Sequence, residues 1–209
     1  MAIDTYSALQ NQVKSFLHRA NILDAVSSDN VPNLILYGEQ WIFRMARTPE
    51  MESALSVAMS AGSAAVPSDY IALKHARIDG TPSRALRMRP SQWILERYPL
   101  RSSDQKPSFM GRDGASFIFG PYPDSDYTVL GIYYARPTSV ASSDNSLFTA
   151  NPDLYLFAAL AEAEAFVKND KRVAMWVAKR NQILHDVNGA AKEGGYDTGM
   201  AVQTDFQAA

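Results

Sequence analysis

Helical periodicity runs from the start of this 209-residue chain to about residue 60, stops, and does not resume until residue 151. A chain interrupted in this way cannot be one continuous helical array, so its middle must fold as something else. In the first stretch Ile3, Tyr6, Leu9, Val13, Phe16, Leu17 and Ala20 recur at intervals of three and four, with Gln10, Gln12, Lys14 and Arg19 between them. That is one apolar stripe on a polar cylinder. Residues 27–30 (SSDN) then offer N-cap side chains, and Pro32 sits just inside the next helix, where its missing N–H costs nothing. Leu34, Ile35, Trp41, Ile42 and Met45 give that helix its buried side. Thr48-Pro49 marks a break, after which residues 50–59 are expected to continue as a further helix.

Between residues 64 and 136, Pro, Gly, Ser, β-branched and aromatic residues punctuate short runs. Residues 84–89 (RALRMR) alternate, and 128–134 (TVLGIYY) form an apolar, aromatic run. MGRDG at 110–114 reads as a hairpin with glycine at the positive-φ position, and GPYPD at 120–124 as a second turn. A short helix is expected over Ser91–Arg97 with Ser91 as its cap. The whole stretch is a β-rich insertion of three to six strands. Its aromatics, Phe117, Phe119, Tyr122, Tyr127, Tyr133 and Tyr134, suit sheet core and cross-strand pairs better than base-stacking platforms.

Asn151-Pro152-Asp153 opens a helix with a cap residue, a proline at the first position and an acid at the positive end of the dipole. Its apolar face is Leu156, Ala159, Leu160, Ala163, Phe166 and Val167. Asn169-Asp170 ends it and caps a last helix, whose Val173, Trp176, Val177, Leu184 and Val187 share a face until Asn188-Gly189 stops it. The expected fold is therefore α+β: mainly a helical bundle of about four helices from residues 1–63 and 137–188, a β-rich insertion over 64–136, and a flexible C-terminal arm over 189–209. The arm carries Gly189, Gly194, Gly195 and Gly199 and too little apolar surface to offset an ordering cost of about 1–2 kcal/mol per residue. Its Tyr196, Met200, Val202 and Phe206 are spaced like anchors for a groove on another chain.

Composition excludes several classes of function. Hydrophobic residues at 46% and charged residues at 20% rule out global disorder. A net charge of -2 gives no overall reason to collect on nucleic acid or anionic membrane. The absence of cysteine removes disulfides, thiolate metal sites and cysteine nucleophiles. No apolar stretch approaches the roughly 18 residues that span a bilayer, and MAIDTYSALQNQ lacks a basic-then-apolar signal pattern. Folding in a cytoplasm, without a membrane partner, is expected. Nucleotide-binding glycine loops, a GxSxG elbow and an HExxH pair are missing. His18 and His185 fall among polar neighbours on helices, and Glu162 and Glu164, two apart, point away from each other. No catalytic, cofactor-binding or metal-ligating residue is expected, and no cofactor.

Charge is unevenly spread. Residues 64–136 hold ten Lys/Arg against seven Asp/Glu, and eight of the ten are arginines: Arg77, Arg84, Arg87, Arg89, Arg97, Arg101, Arg112 and Arg136. Three readings stand: a solvated face with cross-strand ion pairs, a protein contact surface, and contact with a nucleic-acid backbone. Arg84, Arg87 and Arg89 are the candidates for subunit contact.

Four stretches together resemble a known family. These are VPNLILYGEQWIFRMARTPEMES, VPSDYIALKHARIDG, FGPYPDSDYTVLGIYYARP and NPDLYLFAALAEAEAFVKNDKRVAMWVAKRNQIL, spanning about residues 30–187. In kind and order they are similar to the head-to-tail adaptor, or connector, proteins of tailed phages, especially short-tailed ones. The resemblance implies a structural virion protein at the head–tail interface, made in the host cytoplasm and assembled as a ring of twelve copies beneath the portal. Such a ring extends the DNA channel and docks a tail or nozzle protein. Its partners are then itself, the portal, the tail, and passing double-stranded DNA without sequence-specific contact. On that reading Tyr196, Met200, Val202 and Phe206 reach the portal or a neighbouring subunit, and Arg84, Arg87 and Arg89 touch subunits or tail. The alternatives are a DNA-binding module using the arginine-rich insertion, and a tail-associated hydrolase.

Overall fold

The computed structural model describes residues 3–17, 30–102, 105–143, 145–166 and 170–196. The chain folds as two compact units, residues 1–51 with 137–209, and residues 52–136.

The first unit is helical: α1 (Tyr6–Leu17) and α2 (Asn30–Met45) come before the second unit in sequence. The short α4 (Ser146–Ala150), α5 (Pro152–Phe166) and the long α6 (Asp170–Tyr196) come after it. Asp153 lies in the first turn of α5, as the Asn-Pro-Asp start requires. This helix is apolar nearly all round, and Leu154, Tyr155, Leu156, Ala158, Ala159, Leu160, Ala161 and Ala163 are all buried. It is the axis of the unit, packed by α1, α2 and α6. Gly38 marks where α2 crosses it, since a Cβ there would lie 2.8 Å from the Ala159 nitrogen. Arg180 fastens α6 to the other two helices, with its guanidinium 4.2 Å from the centre of the Trp41 ring and 3.0 Å from Glu162 Oε1. Glu164 pairs with Arg172 at 3.1 Å.

Two expectations fail in this unit. Residues 50–59 are not a helix: a 3-10 turn (Pro49–Met51) leads directly into a strand. Nor does Asn188-Gly189 end α6, which runs on to Tyr196. The Asn188 side chain is committed elsewhere, accepting from Arg47 N–H at 2.9 Å and donating to the Met45 carbonyl at 3.3 Å. It therefore satisfies main-chain groups at the end of α2 rather than terminating its own helix.

The second unit is a seven-stranded sheet curled into a nearly closed barrel. Its strands are β1 (Glu52–Met59), β2 (Ser63–Ala65), β3 (Tyr70–Ile78), β4 (Arg84–Met88), β5 (Phe109–Asp113), β6 (Ser116–Gly120) and β7 (Tyr127–Ala135). The order is β1-β7-β3-β4-β5-β6-β2. The two end strands meet through a tight turn, where Ala61 (φ 48) and Gly62 (φ 72) carry the left-handed backbone of a primed hairpin. Ladders are antiparallel except β4–β5, a parallel pair, and parallel strands need a crossover. The helix α3 (Ser91–Arg97) lies in that crossover. Ser91 is its first residue and not its cap, a place held by Pro90. Alternate residues fill the barrel: Leu55, Met59, Ala76, Ile78, Leu86, Met110, Phe117, Phe119, Val129 and Tyr133 are buried together. Gly114, at φ 59, makes the expected hairpin between β5 and β6.

The fold is accordingly not mainly a helical bundle of about four helices. Among the described residues there are six helices beside a seven-stranded sheet, and the chain is strand-rich. The cause is one of counting. The insertion was expected to hold three to six strands, but β1 extends it back over a segment whose Ala, Glu and Met are helix formers. Pairing over eight residues with β7 overrides that propensity.

Candidate functional site

Period two decides which arginines share a surface. Leu86 faces the barrel interior, so Arg84 and Met88 lie on its side of β4, while Ala85 and Arg87 lie on the outer side. The expected trio of Arg84, Arg87 and Arg89 is therefore not one patch. Arg84 donates to the Lys106 carbonyl at 2.6 Å. Arg87 is opposite Phe109 on the neighbouring strand, and its N–H donates to the Ser108 carbonyl at 3.0 Å, while its side chain has no hydrogen bond or ion pair among the described residues. Arg89 N–H continues the ladder to the Met110 carbonyl, and its guanidinium stacks 5.7 Å from the Trp93 ring centre.

The helix α3 completes this outer face. It sits flat on the sheet because two strand glycines leave room for it. A Cβ on Gly111 would lie 2.9 Å from Ile94 Cδ1, and one on Gly120 would lie 2.9 Å from Ile94 Cγ2. Ile94 is buried in that seat, which turns its neighbours outward: Trp93 is 36% exposed and Leu95 43%. Leu100 follows at 80%. Trp93 packs edge-on to Phe109 at 5.0 Å, and Arg97 and Arg101 lie over Tyr98 and Tyr122 at 5.8 and 4.9 Å. Cationic side chains held on rings beside exposed Trp and Leu have the composition of a protein contact surface. Sequence reasoning found the arginines and missed Trp93, Leu95 and Leu100. The signal was present, since three successive large apolar residues (Trp93-Ile94-Leu95) in a seven-residue helix cannot all face inward.

Two recesses of the helical unit are lined by described residues. One, about 380 Å³, is lined by Thr48, Glu50, Asn151 and Asp186 with small apolar residues between them. The other, about 140 Å³, is lined by Tyr6, Asn33, Glu39 and Ser139. Glu39 is buried and accepts from Val140 N–H at 2.9 Å, while its Oε2 has no hydrogen-bond partner among the described residues. Burial pushes its carboxyl above the usual glutamate range, and hydrogen bonds from Ser139 and Val140 oppose that rise in part. Nearby, Asn145 caps α4 by accepting from Phe148 N–H at 2.7 Å, and it donates to the Thr138 carbonyl at 2.8 Å. Glu39 and Asn145 thus pin residues 138–145 to the helices. Burial also raises the Tyr155 hydroxyl above its ordinary range.

The remaining sequence candidates are less informative. Tyr196 is the last residue of α6, and Met200, Val202 and Phe206 lie outside the described residues. His185 is exposed on α6, 3.6 Å from Asp186, and His18 lies outside the described residues. Among the described residues no group of three His, Asp or Glu is placed to hold a metal ion, and no helix is long and apolar enough to cross a membrane.

No curated protein matches the chain. A family model does, the SU10 adaptor protein family, over residues 4–203. The match takes in both the helical unit and the barrel, so the chain belongs to the SU10 adaptor family, a family of phage head-to-tail adaptors.

Proposed function

We propose that this chain forms a ring beneath the portal, extends the DNA channel and gives the tail its docking surface. The family supplies the coarser statement, a structural phage adaptor that is a virion component associated with portal and tail proteins. The observation that supports the finer reading is the outer face around α3, where exposed Trp93, Leu95 and Leu100 lie among arginines stacked on rings. A monomer gains nothing by leaving such side chains in water, whereas a subunit among subunits buries them. Twelve copies is the number proposed for the ring, and the residues after α6, with Met200, Val202 and Phe206, are proposed as an arm reaching the portal or a neighbour. The protein is proposed to act without catalysis and to let DNA pass without sequence-specific contact. The arginines suit protein contact better than phosphate, because Arg84 and Arg101 are spent on main-chain carbonyls.

Electron microscopy of the full chain mixed with its portal tests this. The expected image is a ring stacked on the portal, with twelve-fold averages. A portal that stays bare at saturating protein refutes the reading.

A further inference from the structure

We propose that neighbouring copies join head to tail, the cationic and aromatic face around α3 of one copy seating in the larger recess of the helical unit of the next. This rests on the ring reading above and names the contact that would close it. A closed ring of many copies uses a heterologous interface, so each subunit must present two different surfaces that fit each other.

Two such surfaces are present, each wholly within one unit. The first is the outer barrel face. Residues 84–101 hold five arginines, of which Arg84 lies on the other side of β4, and one carboxylate, Glu96, which accepts from Gln92 at 2.7 Å. Trp93, Leu95 and Leu100 stand exposed among them. The second is the recess of about 380 Å³. Two of its lining residues, Glu50 and Asp186, are carboxylates, and among the described residues no lysine or arginine lines it. Thr48 also lines it, only 1% exposed, with a hydroxyl that has no partner among the described residues. Two carboxylates and an unused hydroxyl suit a guanidinium, which has five N–H donors and no acceptor. Pro49, Val187 and Ala190 give the same recess apolar walls for a large side chain.

Charge also selects the pairing. Residues 52–136 carry ten Lys/Arg against eight Asp/Glu, and the rest of the chain ten against fourteen. The cationic face would repel its own copy, and so would the acidic recess; only unlike faces attract. A two-fold dimer through either surface is thereby disfavoured, and a head-to-tail chain of contacts is favoured.

The chain has no cysteine, so introduced thiols report without background. Full-length Leu95→Cys and Ala190→Cys variants are mixed, oxidised with copper phenanthroline and run on a non-reducing gel, while native mass spectrometry gives the oligomeric state. A cross-linked dimer that appears only when both variants are present supports the contact. Arg89→Glu and Asp186→Arg should each weaken association at least about tenfold, and mixing the two reversed chains should recover most of it. Wild-type rings with no cross-link and no response to charge reversal would overturn this contact and leave the ring reading standing. Dimers of Leu95→Cys with itself would overturn it in favour of a two-fold interface. A chain that neither associates nor cross-links at any concentration, alone or with portal, would overturn both.

Discussion

The same substitution, glycine to alanine, should have opposite effects at two places in the helical unit. Gly38 lies within α2 at its crossing with α5. A Cβ there would stand 2.8 Å from the Ala159 nitrogen, 2.9 Å from the Ala158 carbonyl carbon and 3.2 Å from Ala158 Cβ. Carbon contacts are comfortable near 3.5–4.0 Å, so the helices must separate by about 0.5–1 Å. Two of the three obstacles are main-chain atoms of a helix whose side chains are buried on nearly every face, and neither can swing aside. Overpacking of this kind costs about 1–3 kcal/mol. Against it stands the helix-propensity gain of alanine, about 0.5–1 kcal/mol. The loss wins, and Gly38→Ala should destabilise the unit by about 1–2 kcal/mol.

Gly189 lies in α6 with nothing within 4 Å of a built Cβ. Here only the gain remains, so Gly189→Ala should stabilise by about 0.5–1 kcal/mol. Thermal melts followed by circular dichroism at the helix band read this unit chiefly, because it holds every described helix but α3. One kcal/mol should move the midpoint by about 2–8 °C for domains of this size. A Gly38→Ala midpoint at or above wild type would refute the close crossing of α2 and α5. A lowered midpoint for Gly189→Ala would refute the continuation of α6 through Gly189.

Three further outcomes can be checked. Glu39 titrates above its ordinary value of 4.5 when folded, so the stability it contributes is full below that value and is lost as pH rises through the folded value. Glu39→Gln keeps the acceptor for Val140 N–H and loses the charge; its urea midpoint should gain on wild type from about pH 4 to 7, and parallel curves would count against this. At Gly131 a Cβ would lie 2.2 Å from the His75 carbonyl oxygen, beside the bulge between β3 and β7, so Gly131→Ala should cost the barrel about 2 kcal/mol or more by denaturant unfolding. Arg84→Ser should lower barrel stability by about 1 kcal/mol through the lost Lys106 carbonyl bond, whereas Arg87→Ser should stay within about 0.5 kcal/mol of wild type; equal effects would contradict their placement on opposite faces of β4.

What was legible in the sequence was local. Asn151-Pro152-Asp153 opens α5 as its chemistry requires, and Gly114 makes the β5–β6 hairpin because only a left-handed residue fits that turn. What was not legible depends on partners far along the chain. Residues 52–59 alternate Leu55, Val57 and Met59, yet their composition favours a helix, and β7, paired Glu52 to Tyr134 and onward, decides the matter. Asn188-Gly189 has the chemistry of a helix stop, but the asparagine serves main-chain groups near residues 45–47. Gly111 and Gly120 read as weak points in strands until α3 is seen resting on them. The family was legible for the opposite reason: it is carried by the order of whole segments, which survives errors about any one of them.

The arginines show why a candidate surface in a structural protein is harder to read than an active site. A catalytic group is marked by residue type and spacing, while a contact surface is marked by what the fold leaves uncovered. RALRMR offers three arginines in six residues, and sequence alone treats them as one patch. The strand divides them, sending Arg84 to one face and Arg87 to the other. The parallel step from β4 to β5 then brings a helix across the outer face, and that helix, not the arginine count, supplies Trp93 and Leu95. Arg89 and Arg97 acquire rings beneath them as a result. A guanidinium within about 6 Å of a ring centre is attracted by the ring's negative face, which favours that placement of the side chain. Topology has thus gathered scattered positive charge, in a chain of net charge -2, beside the exposed Trp93 and Leu95 of one face.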